Sequence, residues 1–169
     1  MFREMRRKKQ KLSVEETIAI LERGTSGVLA VAGDDGYPYA VPLSYAYHEG
    51  KIYFHAAPVG HKLDALARSE KASFCVIDQD MVVPGEYTTY FRSVIAFGKA
   101  HVVNKANEKR RALEILAAKY SPDHEEGRLR EIARQFDKTC LIELAIEHMS
   151  GKEAIELVGK IKPESISLE

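Results

Sequence analysis

The sequence lacks tryptophan, carries only two cysteines among its 169 residues, and has no net charge at neutral pH. Its 25 basic and 25 acidic side chains balance, so no overall field would recruit nucleic acid or an anionic membrane. No apolar run approaches the roughly 20 residues of a membrane-spanning helix, and the basic N-terminus lacks the apolar stretch of a secretory signal. We therefore expect a cytoplasmic protein without a nucleic-acid or membrane partner.

Spacing motifs of several kinds of site are also missing. The histidines and cysteines show no HExxH or CxxC spacing, so we predict no metal site. The absence of GxSxG, of a dinucleotide-binding glycine motif and of a P-loop argues against acyl transfer and the usual nucleotide folds. Cys75 and Cys140 each lie in an apolar strand-like run, which predicts two buried free thiols in a reducing compartment.

One local excess of charge lies at the N-terminus. Its basic residues are Arg3, Arg6, Arg7, Lys8, Lys9 and Lys11. Such a segment is either an arm that binds nucleic acid or phosphate, or a solvated leader packed on a partner subunit. No aromatic side chains alternate with these charges, and no matching helix follows, so we favour the leader.

Turn and periodicity signals predict strands with helices between and after them. Ser13 and Glu16 form a capping-box pattern, which predicts a helix over 14–23. Further helices are predicted over 61–69, 105–120 and 124–136, hairpin turns at DDG and HEGK, and a bulge at Gly98. Strands are predicted for GVLAVA, YPYAVPLSYAY, KIYFHAA, KASFCVI, YTTYFRSVIAFGKAHVV and LIELAIEHM.

Strands joined by hairpins, without strict alternation of strand and helix, predict an antiparallel sheet or small barrel flanked by helices. We find no internal repeat and no second-domain boundary. The chain divides into a basic leader (1–12), one domain (13–155) and a charged tail (156–169).

Three segments carry candidate site residues. In YPYAVPLSYAY one face is large and apolar, while the other holds nothing bulkier than Pro42, so either a flat ligand or a helix could lie against it. Gly60, His61 and Lys62 begin a helix, where free N–H groups and a cation favour a phosphate.

His55 ends the strand before that helix, although a single strand histidine is more often structural. Arg92 and Ser93 interrupt an apolar strand, where an unpaired charge would be unfavourable. We expect an acidic group to meet Arg92, and a carboxylate is favoured over a ligand phosphate.

These segments together resemble the FMN-binding split β-barrels of the pyridoxamine 5′-phosphate oxidase-like family, and within it the nitroimidazole-resistance (Nim-type) flavoproteins. The likeness covers roughly residues 5–155 and rests on the order and spacing of four stretches: GVLAVAGDDGYPYAVPLSYAY, GKIYFHAAPVGHKLDAL, KASFCVI and YFRSVIAFGKA. Two positions depart from the relatives, which often have asparagine at Ser44 and cysteine at Ala56. The substrate class therefore stays open.

The resemblance implies a mainly β fold with flanking helices, an antiparallel split β-barrel, and a homodimer with FMN at the subunit interface. It implies an oxidoreductase acting on a small-molecule electron acceptor, with a Nim-type nitroreductase as one form. A non-catalytic flavin protein, or one that binds haem or deazaflavin, is the alternative. His55 would be the reaction-side residue, and the implied cofactor contacts are Val41, Pro42, Leu43, Ser44, His55, Gly60, His61, Lys62, Arg92, Ser93 and Val94.

Overall fold

Seven strands pair in one antiparallel sheet, in the order β2-β1-β5-β6-β7-β4-β3. The structure is a computed structural model and describes residues 1–159. The strands are β1 (Ser26–Ala32), β2 (Pro38–Ser44), β3 (Ala46–His48), β4 (Lys51–Ala56), β5 (Lys71–Val83), β6 (Thr88–Val102) and β7 (Cys140–Glu153). The helices are α1 (Val14–Arg23), α2 (His61–Arg68), α3 (Ala106–Tyr120) and α4 (Glu125–Gln135).

The sheet curls into a barrel because its two ends are neighbours in the chain. β2 and β3 lie at opposite ends of the strand order, yet Tyr45 alone separates them in the sequence. The chain therefore passes from one edge of the sheet to the other within one residue, which brings the two edges together. This arrangement confirms the predicted antiparallel split barrel with flanking helices.

The barrel interior is filled by alternate side chains of the strands and closed by α1. Leu29, Phe54 and Phe74 are fully buried there, and Ile20 and Leu21 of α1 join the same cluster. Ser13 accepts a hydrogen bond from the Glu16 N–H at 3.1 Å, while the Glu16 carboxylate accepts from the Ser13 N–H at 2.9 Å. The predicted capping box is confirmed, and it fixes where this closing helix begins.

The outer side of the sheet has two faces that differ in their covering. On the covered face, α3 and α4 pack over β3, β4 and β7, and their contact buries Ala46, Tyr53, Leu141, Leu113, Leu116 and Ile132. On the open face, one row runs across paired strands through Pro42, Val28, Cys75 and Ile95, and the next through Ala40, Ala30, Ser73 and Phe97. Neither α3 nor α4 extends over these two rows.

Several predicted strand boundaries change in the structure. The predicted strand over 37–47 is interrupted at Tyr45, where the chain changes edges. β5 continues past Ile77 to Val83 because a bulge accommodates Asp78, whose carboxylate pairs with Arg23 at 2.6 Å. The bulge predicted at Gly98 is confirmed by a register shift, and a Cβ there would collide with the Ala145 carbonyl.

The end of the basic leader is part of the fold. Leu12 lies in the core and its N–H donates to the Gly151 carbonyl, while the buried Gln10 amide donates to the Glu153 carbonyl. Phe2 stacks on His148 with 4.9 Å between ring centroids. The predicted tail over 156–169 lies partly outside the described residues, since 160–169 are not described. None of the helices within 1–159 has the length and apolar character needed to cross a membrane.

Candidate functional site

A cleft of about 390 Å³ opens between the barrel and the two helices of the covered face. It brings together Ser44 and His55, which the sequence placed in different segments. Most of its surface is apolar and comes from α3 and α4. The lining residues are Ser44, His55, Leu113, Leu116, Ala117, Tyr120, Ser121, Glu131, Ile132, Gln135 and Thr139.

Strand alternation aims both barrel residues outward. Ser44 ends β2, whose small face is exposed while Tyr39, Val41 and Leu43 turn towards the core. The sequence pattern predicted these two faces and left open whether a helix covers the small one. His55 is exposed on β4 between the buried Phe54 and Ala56. The barrel therefore supplies a hydroxyl and an imidazole at the floor of an apolar cleft.

The helical wall of the cleft was missed by the sequence reasoning. Leu113, Leu116 and Tyr120 share one face of α3, at helical spacing, and line the cleft together. The same spacing would have shown that α3 has an apolar face. Whether that face meets solvent, a partner or the barrel depends on long-range packing, so the pattern alone does not predict a cleft.

Tyr120 ties α3 to the point where the barrel changes edges. Its hydroxyl lies 2.9 Å from the Tyr45 N–H, which donates to it, and close to the Tyr45 and Thr25 carbonyls, which compete for its proton. Lys119 donates to the Gly24 carbonyl and lies over the Tyr45 ring, and burial lowers the pKa of its ammonium group. These contacts hold the backbone next to Ser44 in place.

The start of α2 is built as the sequence predicted. Gly60 is its N-cap with φ +140°, a conformation that favours glycine, and no side chain caps the helix. His61 stacks on Tyr39 of β2 with 4.1 Å between ring centroids, and its Nε2 lies 3.3 Å from the Asp34 carboxylate. Asp34 also pairs with Arg68 at 2.6 Å. These contacts hold α2 against β2.

Lys62 lies between the helix start and the end of β4. It is half-buried and forms no salt bridge with any of the residues 1–159. Burial raises the pKa of the Cys140 thiol, and the charges of Lys109 and Lys62 oppose that rise. Cys140 pairs with Ala56, the residue after His55, so Lys62 lies near the end of β4.

The predicted residues of β6 lie away from this cleft. Arg92 donates to Glu153 and to Gln79, each at 3.1 Å, so a carboxylate meets it as the sequence reasoning favoured. Val94 is fully buried, and any ligand contact it makes would have to come from its backbone. Neither Arg92 nor Ser93 lines the cleft that holds Ser44 and His55.

The remaining cofactor residues lie on an edge strand. β2 pairs with β1 alone among the described strands, so one row of backbone groups from Val41 to Ser44 is not used by a sheet neighbour. Pro42 lies in this edge strand, as its lack of an N–H predicted. No group of three or more potential metal ligands occurs within 1–159.

Solved structures with this fold come from several bacteria. A candidate 5-nitroimidazole antibiotic resistance protein of Bacteroides thetaiotaomicron is 21% identical, with a TM-score of 0.70 over 85% of this chain and 86% of that one. A conserved hypothetical protein of Mycobacterium tuberculosis is 18% identical, with a TM-score of 0.78 over 96% and 99%. The FAD and heme binding protein of Mycobacterium smegmatis is 25% identical, with a TM-score of 0.71 over 86% and 73%.

Sequence comparison gives the family. No curated protein matches the chain. The family model described as pyridoxamine 5′-phosphate oxidase matches residues 13–153, which is nearly the whole of the barrel and its helices. Together with the split-barrel neighbours, this match shows that the chain belongs to the pyridoxamine 5′-phosphate oxidase-like family.

Proposed function

We propose that this protein is a cytoplasmic, homodimeric FMN-binding oxidoreductase that acts on a small-molecule electron acceptor. The proposal depends chiefly on one observation: the cleft, the free edge of β2 and the start of α2 adjoin one another, since Ser44 of β2 lines the cleft and His61 of α2 stacks on Tyr39 of β2. The family and the flavin-binding neighbour from M. smegmatis support a flavin at this junction. Cys75 and Cys140 are free, which is consistent with a reducing compartment.

The start of α2 fits the phosphate end of FMN. An N-terminus without a side-chain cap offers backbone N–H groups and a partial positive charge. Lys62 adds a cation that is not engaged in a salt bridge within the described chain, and Gly60 has no Cβ to obstruct an approaching oxygen. His61 is held beside them by Asp34 and Tyr39.

The edge of β2 and the floor of the cleft fit the ring end. Backbone groups from Val41 to Ser44 would hydrogen-bond the polar edge of the isoalloxazine, while the small exposed side chains allow close approach. When bound, FMN supplies the electron-transfer chemistry, and the protein binds and orients it. His55 would hold or move a proton at one of its ring nitrogens, facing the bound substrate.

The open face supports the homodimer. Val28, Ile95 and Phe97 are 37–40% exposed on it, although they form adjacent rows of apolar side chains and Phe2 of the leader packs against Phe97. A contiguous apolar face of this kind marks an interaction surface. We propose that two open faces pack together.

A dimer would also bring the separated site residues together. Ser26 pairs with Ser44, and Ile77 at the corresponding level of β5 pairs with Ser93. Ser44 and Ser93 therefore lie at one level, separated by three strand spacings, or about 14 Å. Packing of two open faces would place the Arg92–Ser93 segment of one copy near β2 of the other.

The test is an absorbance spectrum of the purified chain before and after FMN loading and desalting. We expect retained flavin bands, and Lys62→Ala should weaken FMN affinity by about tenfold, as removal of a charged phosphate contact does. Lys105→Ala, at an exposed lysine that precedes the first turn of α3, is the matched control and should not change it. A protein that never retains FMN would overturn the proposal.

The His55→Ala variant helps to distinguish a catalytic flavoprotein from a protein that only carries flavin. The variant should still bind FMN but change the rate at which NAD(P)H-reduced protein is reoxidised by small-molecule acceptors, nitroaromatic compounds among them. A wild-type protein that binds FMN but is not reduced by NAD(P)H would be a flavin carrier.

Haem binding is a second candidate. It is favoured by the exposed imidazole of His55 at an apolar cleft and by the FAD and heme binding neighbour. A Soret band after haem addition that His55→Ala abolishes would identify that alternative.

A further inference from the structure

We propose that the cleft between α3, α4 and the barrel is the substrate pocket, and that it selects small, uncharged, mainly apolar ring compounds. This inference rests on the proposed function, since it assigns the cofactor to the edge of β2 and the substrate to the neighbouring cleft. Ser44 and His55 lie at the boundary between the two.

The size and lining of the cleft define the class of substrate. A volume of about 390 Å³ is near the lower end of the range for small-molecule sites, and fits a molecule of one or two rings. Leu113, Leu116 and Ile132 supply buried side chains that pack behind it. An apolar ring placed there removes apolar surface from water on both sides.

The cleft lining disfavours an anionic substrate because it offers no Lys or Arg side chain to pair with it. Glu131 is the only Asp, Glu, Lys or Arg side chain in the lining, and its carboxylate is paired with Arg134 at 2.7 Å on the exposed side of α4. No lysine or arginine lines the cleft to balance a buried negative charge. An anion would therefore lose its hydration without gaining a cationic partner, which is unfavourable.

The polar groups of the floor determine which way the ring points. Ser44 and His55 can each donate or accept a hydrogen bond, whereas Leu113, Leu116 and Ala117 of α3 are apolar. The other uncharged polar lining residues lie at the ends of α3 and α4 and just before β7: Tyr120, Ser121, Gln135 and Thr139. A ring with one polar substituent would turn that substituent towards Ser44 and His55. Its reactive end would then lie beside the edge of β2.

The test uses a pair of inert probes that differ in charge. Naphthalene-2-sulfonamide is uncharged at neutral pH, whereas naphthalene-2-sulfonate has the same rings and a negative charge. Binding is measured by equilibrium dialysis on the full chain, both loaded with FMN and free of it. We expect the sulfonamide to bind at least about tenfold more tightly than the sulfonate. Equal affinities would overturn the selection by charge.

Two substitutions that fill the cleft from two different helices test whether the probe binds there. Ala117→Trp on α3 and Gln135→Trp on α4 should each weaken sulfonamide binding by about tenfold or more. Ala133→Trp is the matched control, since Ala133 is exposed on α4 and does not line the cleft. Circular dichroism and thermal unfolding identify any variant that fails to fold. One folded cleft-filling variant is enough for the test.

Retention of FMN distinguishes failure of this inference from failure of the proposed function. Cleft-filling variants that no longer bind the sulfonamide but still bind FMN would support a substrate pocket separate from the flavin site. Filled variants that lose FMN as well place the flavin in the cleft and overturn the inference, while leaving the flavoprotein assignment intact. If wild type never retains FMN, the proposed function fails, and block of sulfonamide binding to the flavin-free chain still supports the pocket.

Discussion

The covered and open faces belong to one sheet but differ in how far their apolar side chains are shielded from water. On the covered face, α3 and α4 bury Tyr53 and Leu141 beneath Leu113 and Leu116. On the open face, Ile95 remains 40% exposed although its neighbours across the strands are also apolar or small. The chain thus covers one face with its own helices and leaves apolar side chains of the other partly exposed.

The proposed flavin site at β2 lies where the covered face meets the open face. On the covered face, Tyr120 attaches α3 to the backbone of Tyr45, where the chain changes edges, and Lys119 attaches it to the Gly24 carbonyl. The open face has no helix attached to it in the described chain, although Phe2 of the leader packs on Phe97 and His148 there, and its rows end at β2, the strand proposed to bind the flavin. A cofactor at β2 would touch both faces.

The largest expected effect comes from placing a charge on the open face. Ile95→Glu should raise the dissociation constant of the dimer about a hundredfold or more, because an unpaired charge buried in an interface costs about 3 kcal/mol or more. FMN affinity should fall with it if both copies contribute to the site. Sedimentation velocity gives the mass, and flavin titration gives the affinity.

Leu129→Glu is the matched control for this substitution. Leu129 is 45% exposed on α4, so the same change of side chain is made on a helix of the covered face. It should leave the dimer and FMN binding unchanged. If Ile95→Glu is as dimeric as wild type, the open face is not the interface, and a monomeric wild type would contradict the homodimer directly.

The second effect concerns the covered face alone. Tyr120→Phe removes the hydroxyl that accepts from the N–H of the fully buried Tyr45, so that donor loses its partner. The free energy of unfolding should fall by about 1–3 kcal/mol, the typical penalty for an unsatisfied buried group. Urea denaturation measures it, and the mass of the dimer should stay the same.

Tyr37→Phe provides the comparison for the lost hydroxyl. Tyr37 is 75% exposed before β2, and its change should alter stability by less than about 0.5 kcal/mol. A loss in Tyr120→Phe no larger than this would show that water replaces the hydroxyl, and that α3 does not depend on this attachment.

Local chemistry made some features predictable from sequence. The capping box of Ser13 and Glu16, the turn glycines and the bulge at Gly98 each depend on neighbouring residues or on backbone limits, and the structure confirms them. The exposed small face of β2 follows from strict alternation over seven residues. These features fix the elements and the outward direction of Ser44.

Long-range packing made other features unpredictable. The interruption at Tyr45 depends on closure of a barrel whose edges lie at opposite ends of the sheet order. The extension of β5 through Asp78 depends on Arg23, which is 55 residues away. The cleft requires α3 and α4 to cover β4, and no local pattern states which strand a helix will cover.

The smallest expected effect is a change in the alkylation rate of Cys75 on the open face, measured against Cys140, which lies away from that face. Cys75 lies on the open face directly opposite Ile95, and burial raises the pKa of its thiol above the ordinary value. A raised pKa means less thiolate at pH 7, so alkylation by iodoacetamide should be slow there and accelerate as the pH rises towards that pKa. Dimerisation should slow the reaction further, because it covers Cys75.

Cys140 is the internal control in the same molecule. Burial also raises its thiol pKa, but it lies at the start of β7, away from the open face. In wild-type protein diluted below the dissociation constant of the proposed dimer, Cys75 should therefore react several-fold faster than at high concentration, while the rate at Cys140 stays constant. Peptide mass spectrometry after timed alkylation gives both rates. Equal acceleration at both cysteines on dilution would indicate general loosening of the barrel, whereas acceleration at Cys75 alone would show that a second molecule covers the open face at high concentration.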